Sequence, residues 1–151
     1  MKYLDAMISR FDALTLRFSS DQDLKQREEE FRNEIPLYAN AANRLVNEAY
    51  DSVDTKATAI LQHVSIMIAV SGLLYSQAAS FLRFFFVGEM LLYIILALYC
   101  LRLLMMQHVS PAYSDVQNAV CKEAVLDLTA KLTFLVSVAL VLTVVAEVLV
   151  K

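Results

Sequence analysis

The chain has 151 residues, is 58% hydrophobic and carries a formal net charge of −3. Its mean hydropathy of +0.52, with only two glycines and two prolines, excludes an ordinary soluble sheet protein and favours long helices. So small a charge gives no reason to expect a nucleic-acid partner. The two cysteines have neither a metal-binding nor a redox spacing, so we expect no metal, no cofactor and a reduced, cytosol-facing protein.

The polar region 1–56 predicts a cytosolic helical region that begins with a hairpin of two helices. In the first helix, apolar residues recur at spacings of three and four: Leu4, Met7, Phe11, Leu14 and Phe18. The segment 23–35 predicts the second, shorter helix. Its charges, Glu28 and Arg32 among them, have the spacing of pairs along one solvated face. A surface for a protein partner is the alternative.

Three apolar runs follow, at about 57–75, 84–106 and 132–150, and each has the length of a membrane span. A run of about 19 residues is roughly 28 Å long as a helix, against a hydrocarbon core of about 30 Å. Three such runs leave too little polar surface to cover them in a soluble domain. The sequence therefore predicts an all-α integral membrane protein with three transmembrane helices, in which residues 57–151 form the transmembrane region.

Two of the spans are predicted to continue into the cytosol as helical stalks. An apolar stripe at helical spacing precedes the first run without a helix breaker. After the second run, Ser110 and Pro111 are residue types typical of a helix start, and the helix they begin continues into the third run. Residues 108–131 are thus a cytosolic helical connection. The segment 76–80 predicts a tight turn, so the first two spans form an antiparallel hairpin.

The distribution of basic residues predicts the orientation. If the N-terminus lies in the cytosol, all of the 13 Lys and Arg residues except Arg83 and Lys151 lie inside, as the positive-inside rule requires. The C-terminus is then outside. Apolar stripes this narrow often need a second subunit to cover them, so we also expect a homo-oligomer in contact with the lipid bilayer.

Two polar residues inside the predicted spans are candidates for function, and no enzyme motif accompanies them, so we expect no enzymatic activity. Glu89 would cost about 2.5–3.5 kcal/mol if ionised and unpaired near the bilayer centre. Three readings stay open: a protonated group bonded to a neighbouring helix, a group that reaches the outer interface, and a pore-lining or gating carboxylate. For His63 two readings stay open: a hydrogen bond to another helix or to a stalk residue, and a ligand or proton site.

Four polar residues stand where the first stalk meets the first span: Asp51, Asp54, Thr55 and Lys56. Asp54 and Lys56 diverge by roughly 200° on a helix, so they do not pair with each other. Lys56 can bind anionic headgroups, whereas the inner leaflet repels the two aspartates. We therefore expect both aspartates to be buried against basic groups. The candidate partners are Arg44, Lys122 and Lys131.

The stretch DTKATAIL, residues 54–61, closes a polar helix and opens a membrane helix. It resembles the Asp-Thr-Lys-Ala signature of the Pycsar-type transmembrane effectors of bacterial anti-phage defence. The segment 118–142, NAVCKEAVLDLTAKLTFLVSVALVL, resembles the helix that leads into the last membrane segment of that family. The similarity runs from Ala49 onward, and the long N-terminal hairpin is a departure from the family pattern.

The resemblance implies an effector in the bacterial inner membrane. A partner cyclase makes a cyclic nucleotide after infection, and the effector senses it at the cytosolic face and disrupts or permeabilises the membrane. A nucleotide phosphate would bind basic groups. The candidates are Arg44, Lys56, Lys122 and Lys131, with Asp51, Asp54 and Thr55 completing the ligand or trigger site. The alternative function is a non-permeating accessory membrane protein whose cytosolic helical bundle docks a partner protein.

Overall fold

The computed structural model describes residues 21–34, 39–79, 81–105 and 114–150. These residues form four helices: α1 (Asp21–Glu34), α2 (Ala39–Gln77), α3 (Arg83–Met105) and α4 (Asp115–Val150). No strand occurs within those ranges, which confirms the all-α class. The predicted helix over 4–18 and the predicted helix start at Ser110 and Pro111 lie outside the described residues.

Three of the four helices contain an apolar stretch long enough to cross a membrane, as the sequence predicts. Helix α3 has 23 residues, which corresponds to roughly 35 Å. Within the most apolar stretch of each helix, at most 28% of the residues are buried inside the protein. Most of this apolar surface therefore faces outwards.

The chain divides into two compact units, which are described separately. Unit 1 comprises Met1–Thr55 and Met105–Leu128, and unit 2 comprises Lys56–Leu104 and Thr129–Lys151. Helices α2 and α4 each contribute residues to both units.

In unit 1, helix α1 is joined to α4 by charged and polar side chains. Arg27 donates to the Asp127 carboxylate at 3.0 Å, and Gln117 donates to Glu28 at 3.3 Å. Glu28 also pairs with Arg32 at 2.7 Å, the predicted contact between residues four apart on one face. The charged segment is therefore a solvated face in part only, because two of its residues reach across to α4.

The N-terminus of α4 is fixed by a reciprocal cap. The hydroxyl of Ser114 accepts from the Gln117 backbone N–H at 3.2 Å, and the Gln117 side-chain oxygen accepts from the Ser114 N–H at 3.1 Å. This is the capping box formed by Ser and Gln at a spacing of three. It satisfies two N–H groups that a helix start leaves without intrahelical partners.

In unit 2, segments of α2, α3 and α4 pack around one apolar core. The buried core side chains are Val64, Ala78, Leu82, Phe86, Tyr93, Leu96 and Leu140. The buried residues of α3 recur at spacings of three and four, which places them on one face of the helix. They are Phe86, Glu89, Tyr93, Leu96, Cys100 and Leu103.

A short connection joins α2 to α3, as the sequence predicts. The carbonyl of Ala79 accepts from the N–H groups of Leu82 and Arg83 at 2.9 and 3.2 Å. The Arg83 side chain donates to the Ala78 carbonyl at 3.1 Å. From α4, both carboxylate oxygens of Glu147 accept from the Ala79 N–H at 3.2 Å. The backbone of this turn is thus held by one side chain of α3 and one of α4.

Unit 2 buries several polar side chains beside its apolar core and exposes many large apolar side chains. Phe84 and Leu149 are 80% and 81% exposed, whereas Ser71, Glu89 and Glu147 are buried. A water-soluble domain shows the opposite distribution, and so large an exposed apolar surface marks contact with lipid or protein. The arrangement is that of a membrane protein.

Candidate functional site

The candidate site in unit 1 is centred on a buried lysine of α4. Lys122 is 3% exposed, and its ammonium donates to Oδ1 of Asp54 on α2 at 2.7 Å. The Asp54 side chain is 43% exposed, so the ammonium of this ion pair is shielded from solvent whereas the carboxylate is in contact with it. Among the three basic partners predicted for the aspartates, Lys122 is the one that lies against Asp54.

The lysine is buried because this stretch of α4 is enclosed on nearly all sides. The residues of α4 buried here are Asn118, Ala119, Val120, Cys121, Lys122, Ala124, Val125 and Leu126. Five consecutive residues cover more than a full turn of a helix. Burial raises the pKa of the Cys121 thiol, and the Glu28 carboxylate raises it further, so this thiol is neutral and poorly reactive.

Tyr50 supplies a second contact to the lysine. Its ring centroid lies 4.9 Å from the Lys122 ammonium, within the range of a cation–π interaction. Burial raises the pKa of the Tyr50 phenol, and the nearby Asp115 carboxylate adds to this, so the ring faces the ammonium as a neutral phenol. Sequence reasoning missed Tyr50, although its position one helical turn before Asp54 was an available signal.

The remaining candidate residues of unit 1 lie away from this pair. Arg44 is exposed and pairs with Glu48 at 2.8 Å, about 15 Å along α2 from Asp54. The prediction that Asp51 is buried is wrong, since its side chain is exposed. Three residues before Asp54, it turns off the buried face of α2. The exposed Thr55 donates its hydroxyl to the Asp51 carbonyl at 2.8 Å, a bond within the helix that leaves the Asp51 carboxylate uninvolved.

Lys56 and Lys131 belong to unit 2, and both side chains are exposed. Lys56 follows Asp54 by two positions on α2, so the two side chains diverge as the sequence predicts. An exposed ammonium beside an apolar helix segment suits contact with anionic headgroups.

His63 makes an interhelical hydrogen bond in unit 2, one of the two alternatives that the sequence left open. Its Nε2 lies 3.0 Å from the Ser137 hydroxyl on α4. Tyr93 of α3 donates to the same hydroxyl at 3.1 Å, and Ser137 bonds the Thr133 carbonyl at 2.9 Å. One serine thereby joins all three helices of the unit.

Glu89 faces the protein interior and is 6% exposed. Its Oε1 accepts from the Thr143 hydroxyl at 2.6 Å, which is the predicted bond to a neighbouring helix. Its Oε2 is buried and has no hydrogen-bond partner in the part of the chain that the structure describes. Thr143 and Ser137 were not singled out from sequence, because a hydroxyl residue within a Val- and Leu-rich run gives no periodic signal of its own.

Comparisons with family models, with curated proteins and with solved structures find no match to this chain. Its function is therefore inferred from its residues and their geometry.

Proposed function

We propose that the protein is a membrane effector of bacterial anti-phage defence, which senses a cytosolic cyclic nucleotide and permeabilises the inner membrane. The observation that carries the proposal is the buried ammonium of Lys122, held by the half-exposed carboxylate of Asp54. It occurs in a chain with three helices able to cross a membrane. The resemblance of residues 54–61 to the Asp-Thr-Lys-Ala signature supports the choice of signal.

The proposed trigger is the exchange of one anion for another at Lys122. A buried ammonium needs a negative partner, because an unpaired buried charge is strongly destabilising. A nucleotide phosphate offers stronger charge-assisted hydrogen bonds than a single carboxylate oxygen. It would therefore compete with Asp54, which solvent and solutes can reach. The ligand shifts the protein only to the extent that it binds the arrangement without the Asp54 bond more tightly.

Helix connectivity supports transmission of this exchange. Asp54 lies on α2 and Lys122 on α4, and each of these helices continues without a break into an apolar stretch. Displacement of a continuous helix at one point moves its neighbouring turns as well. The distribution of Lys and Arg supports an N-terminus in the cytosol and a C-terminus outside, which puts the nucleotide and Lys122 in the same compartment.

The outward apolar side chains of unit 2 support contact with lipid and with further copies of the chain. We include a homo-oligomer in the proposal, because large exposed apolar faces of this kind are often covered by a further subunit.

The proposal is tested by membrane potential in bacteria that express the chain. A depolarisation dye is read with and without a co-expressed cyclic-nucleotide cyclase. We expect the wild-type chain to depolarise the membrane when the cyclase is present, and Lys122→Met to abolish this effect. In Asp54→Asn the side chain that competes with the nucleotide for Lys122 is weaker, so depolarisation should occur at a lower cyclase level. Lys25→Met, at an exposed lysine of α1, is the matched control. Absence of depolarisation with every nucleotide tested contradicts the proposal.

The second candidate function is an accessory protein that docks a partner without permeating the membrane. The exposed carboxylates of Glu29 and Glu30 on α1 favour it, since they form an acidic surface available to a basic protein. It predicts a harmless protein that co-purifies with a partner, and loss of that partner when both residues are changed to Gln.

A further inference from the structure

The interior of unit 2 contains a series of proton-exchanging groups that the trigger in unit 1 does not use. Its members are Glu89, Tyr93, Ser137 and His63, contributed by α2, α3 and α4. All are buried or half-buried, in a unit whose outer surface is apolar. Buried polar groups are expensive in a membrane bundle and mark paths for ions or protons.

Hydrogen bonds connect three of these groups directly. Tyr93 donates to the Ser137 hydroxyl at 3.1 Å, and His63 Nε2 lies 3.0 Å from the same oxygen. A hydroxyl is both donor and acceptor, and neutral imidazole carries a proton on one nitrogen and a lone pair on the other. The three groups can therefore pass a proton along, and the net charge of each is restored at the end.

Glu89 stands four residues before Tyr93 on the same buried face of α3, about 6 Å away along the axis. Its Oε1 is bound by Thr143 at 2.6 Å, while its Oε2 has no partner among the described residues. The hydroxyl of Ser71 is fully buried and likewise has none there. Ser71 lies six residues before the end of α2 and Glu89 six residues after the start of α3, which puts them at equal depth from the turn.

The Oε2 atom of Glu89, buried and without a partner among the described residues, points to a ligand that binds there, because buried polar atoms are nearly always paired. The ligand must be small, since the neighbouring core residues Phe86 and Tyr93 are fully buried and Leu96 is 4% exposed. A hydrated sodium or potassium ion does not fit between packed side chains, whereas water and a proton do.

We infer that the ion carried by this bundle is the proton, with Glu89 as its carrier and Tyr93, Ser137 and His63 as the relay. The inference rests on the proposed function, in that it names the ion through which the membrane is depolarised. A proton enters on Oε2 of Glu89 from the turn side and passes through a bridging water to the Tyr93 hydroxyl. Tyr93 gives its own proton to Ser137. The Ser137 hydroxyl, which donates to the Thr133 carbonyl at 2.9 Å, breaks that bond, rotates towards His63 and gives its own proton to the unprotonated Nε2. His63 releases the proton on Nδ1 towards the other side.

The test uses the full-length protein in liposomes that contain potassium and the pH dye pyranine, with 3′,5′-cyclic AMP, CMP, GMP and UMP present on both sides of the bilayer to engage the proposed trigger. Valinomycin sets a negative interior, and acidification of the lumen reports proton entry. We expect proton flux with the wild-type protein and a loss of at least about tenfold with Glu89→Gln, which keeps the size of the side chain and can still accept from Thr143. Ser137→Ala is expected to slow the flux severalfold.

Two matched controls separate the relay from general effects of substitution. Ser65 also donates to the backbone carbonyl four residues earlier, at 2.8 Å, but its side chain is exposed, so Ser65→Ala is expected to conduct normally. Glu123→Gln removes an exposed carboxylate of α4 and is expected to do the same. Circular dichroism and size-exclusion profiles check that every variant is folded.

Three results overturn the inference: no proton flux from the wild-type protein, wild-type flux from Glu89→Gln, or potassium flux as fast as proton flux when valinomycin is omitted. Depolarised cells without proton flux in liposomes leave the proposed function standing and refute the proton as its ion. Proton flux in liposomes without cyclase-dependent depolarisation in cells supports the proton relay and refutes the proposed function.

Discussion

Removal of Asp54 is predicted to lower the stability of the protein much more than removal of its partner Lys122. In Asp54→Ala the ammonium of Lys122 stays 3% exposed and loses the carboxylate that it bonds. Removing one partner of a fully buried pair costs about 3–5 kcal/mol. Because Asp54 is 43% exposed, water can replace it in part. The expected loss is therefore nearer the value of one charged hydrogen bond, about 2–3 kcal/mol.

Lys122→Met removes the buried charge instead and keeps a side chain of similar volume. The remaining Asp54 carboxylate is already half hydrated, so the expected change is within about 1 kcal/mol. The double variant Asp54→Ala with Lys122→Met should be close in stability to Lys122→Met alone, and the double-mutant cycle makes this difference visible as a coupling energy.

The assay is thermal unfolding in a mild detergent, followed by circular dichroism. For a chain of this size, a loss of 2–3 kcal/mol lowers Tm by about 5–10 °C. Asp51→Ala, an exposed carboxylate three residues earlier on the same helix, should change Tm by less than about 2 °C. The reasoning is refuted if Lys122→Met loses as much stability as Asp54→Ala, or if Asp54→Ala and Asp51→Ala behave alike.

Three further predictions concern unit 1. Because burial raises the pKa of its thiol, Cys121 should react with a maleimide more slowly than a peptide thiol at neutral pH, and faster as the pH rises. The reaction should also become faster when the cyclic nucleotide is added, measured in a Cys100→Ser background that lacks the other thiol. A labelling rate that the nucleotide leaves unchanged contradicts the proposed trigger. Ser114→Ala should lower stability by about 1 kcal/mol through loss of the cap, measured by urea unfolding; no change would mean that the cap is dispensable. Asp127→Asn should lower stability by less than about 1 kcal/mol, and by still less at high salt, because the side chains of both partners are partly exposed to solvent. An effect on stability that salt leaves unchanged would contradict this.

The extent of the helices could be predicted from sequence because it depends on local signals: the spacing of apolar residues and the positions of helix breakers. Scarce glycine and proline predicted long helices, and the polar segment at 76–80 predicted the connection between α2 and α3. The partner of Asp54 could be narrowed to three basic residues but not chosen among them. Arg44 could have been set aside, since Glu48 lies four residues further along the same helix and competes for it.

The interior of unit 2 could not be predicted in the same way. Which hydroxyl meets Glu89 depends on the rotation of α4 about its axis, and that rotation is set by packing of apolar side chains such as Leu140. Ser137 and Thr143 look alike in sequence to Ser65, which is exposed. Only the buried stripe of α4, in which Thr133, Leu140 and Glu147 recur on one side, distinguishes inward from outward hydroxyls.

The hydrogen bond from the Ala79 amide to the Glu147 carboxylate has a consequence for the order in which the helices insert into the membrane. A ribosome delivers α2 and α3 first, and the hairpin they form leaves that N–H without its carboxylate partner until α4 has been inserted. The turn lies beyond the predicted span 57–75, where water can bond this amide until then. Insertion of α4 therefore exchanges water for a carboxylate at this amide and ties the turn to the last helix.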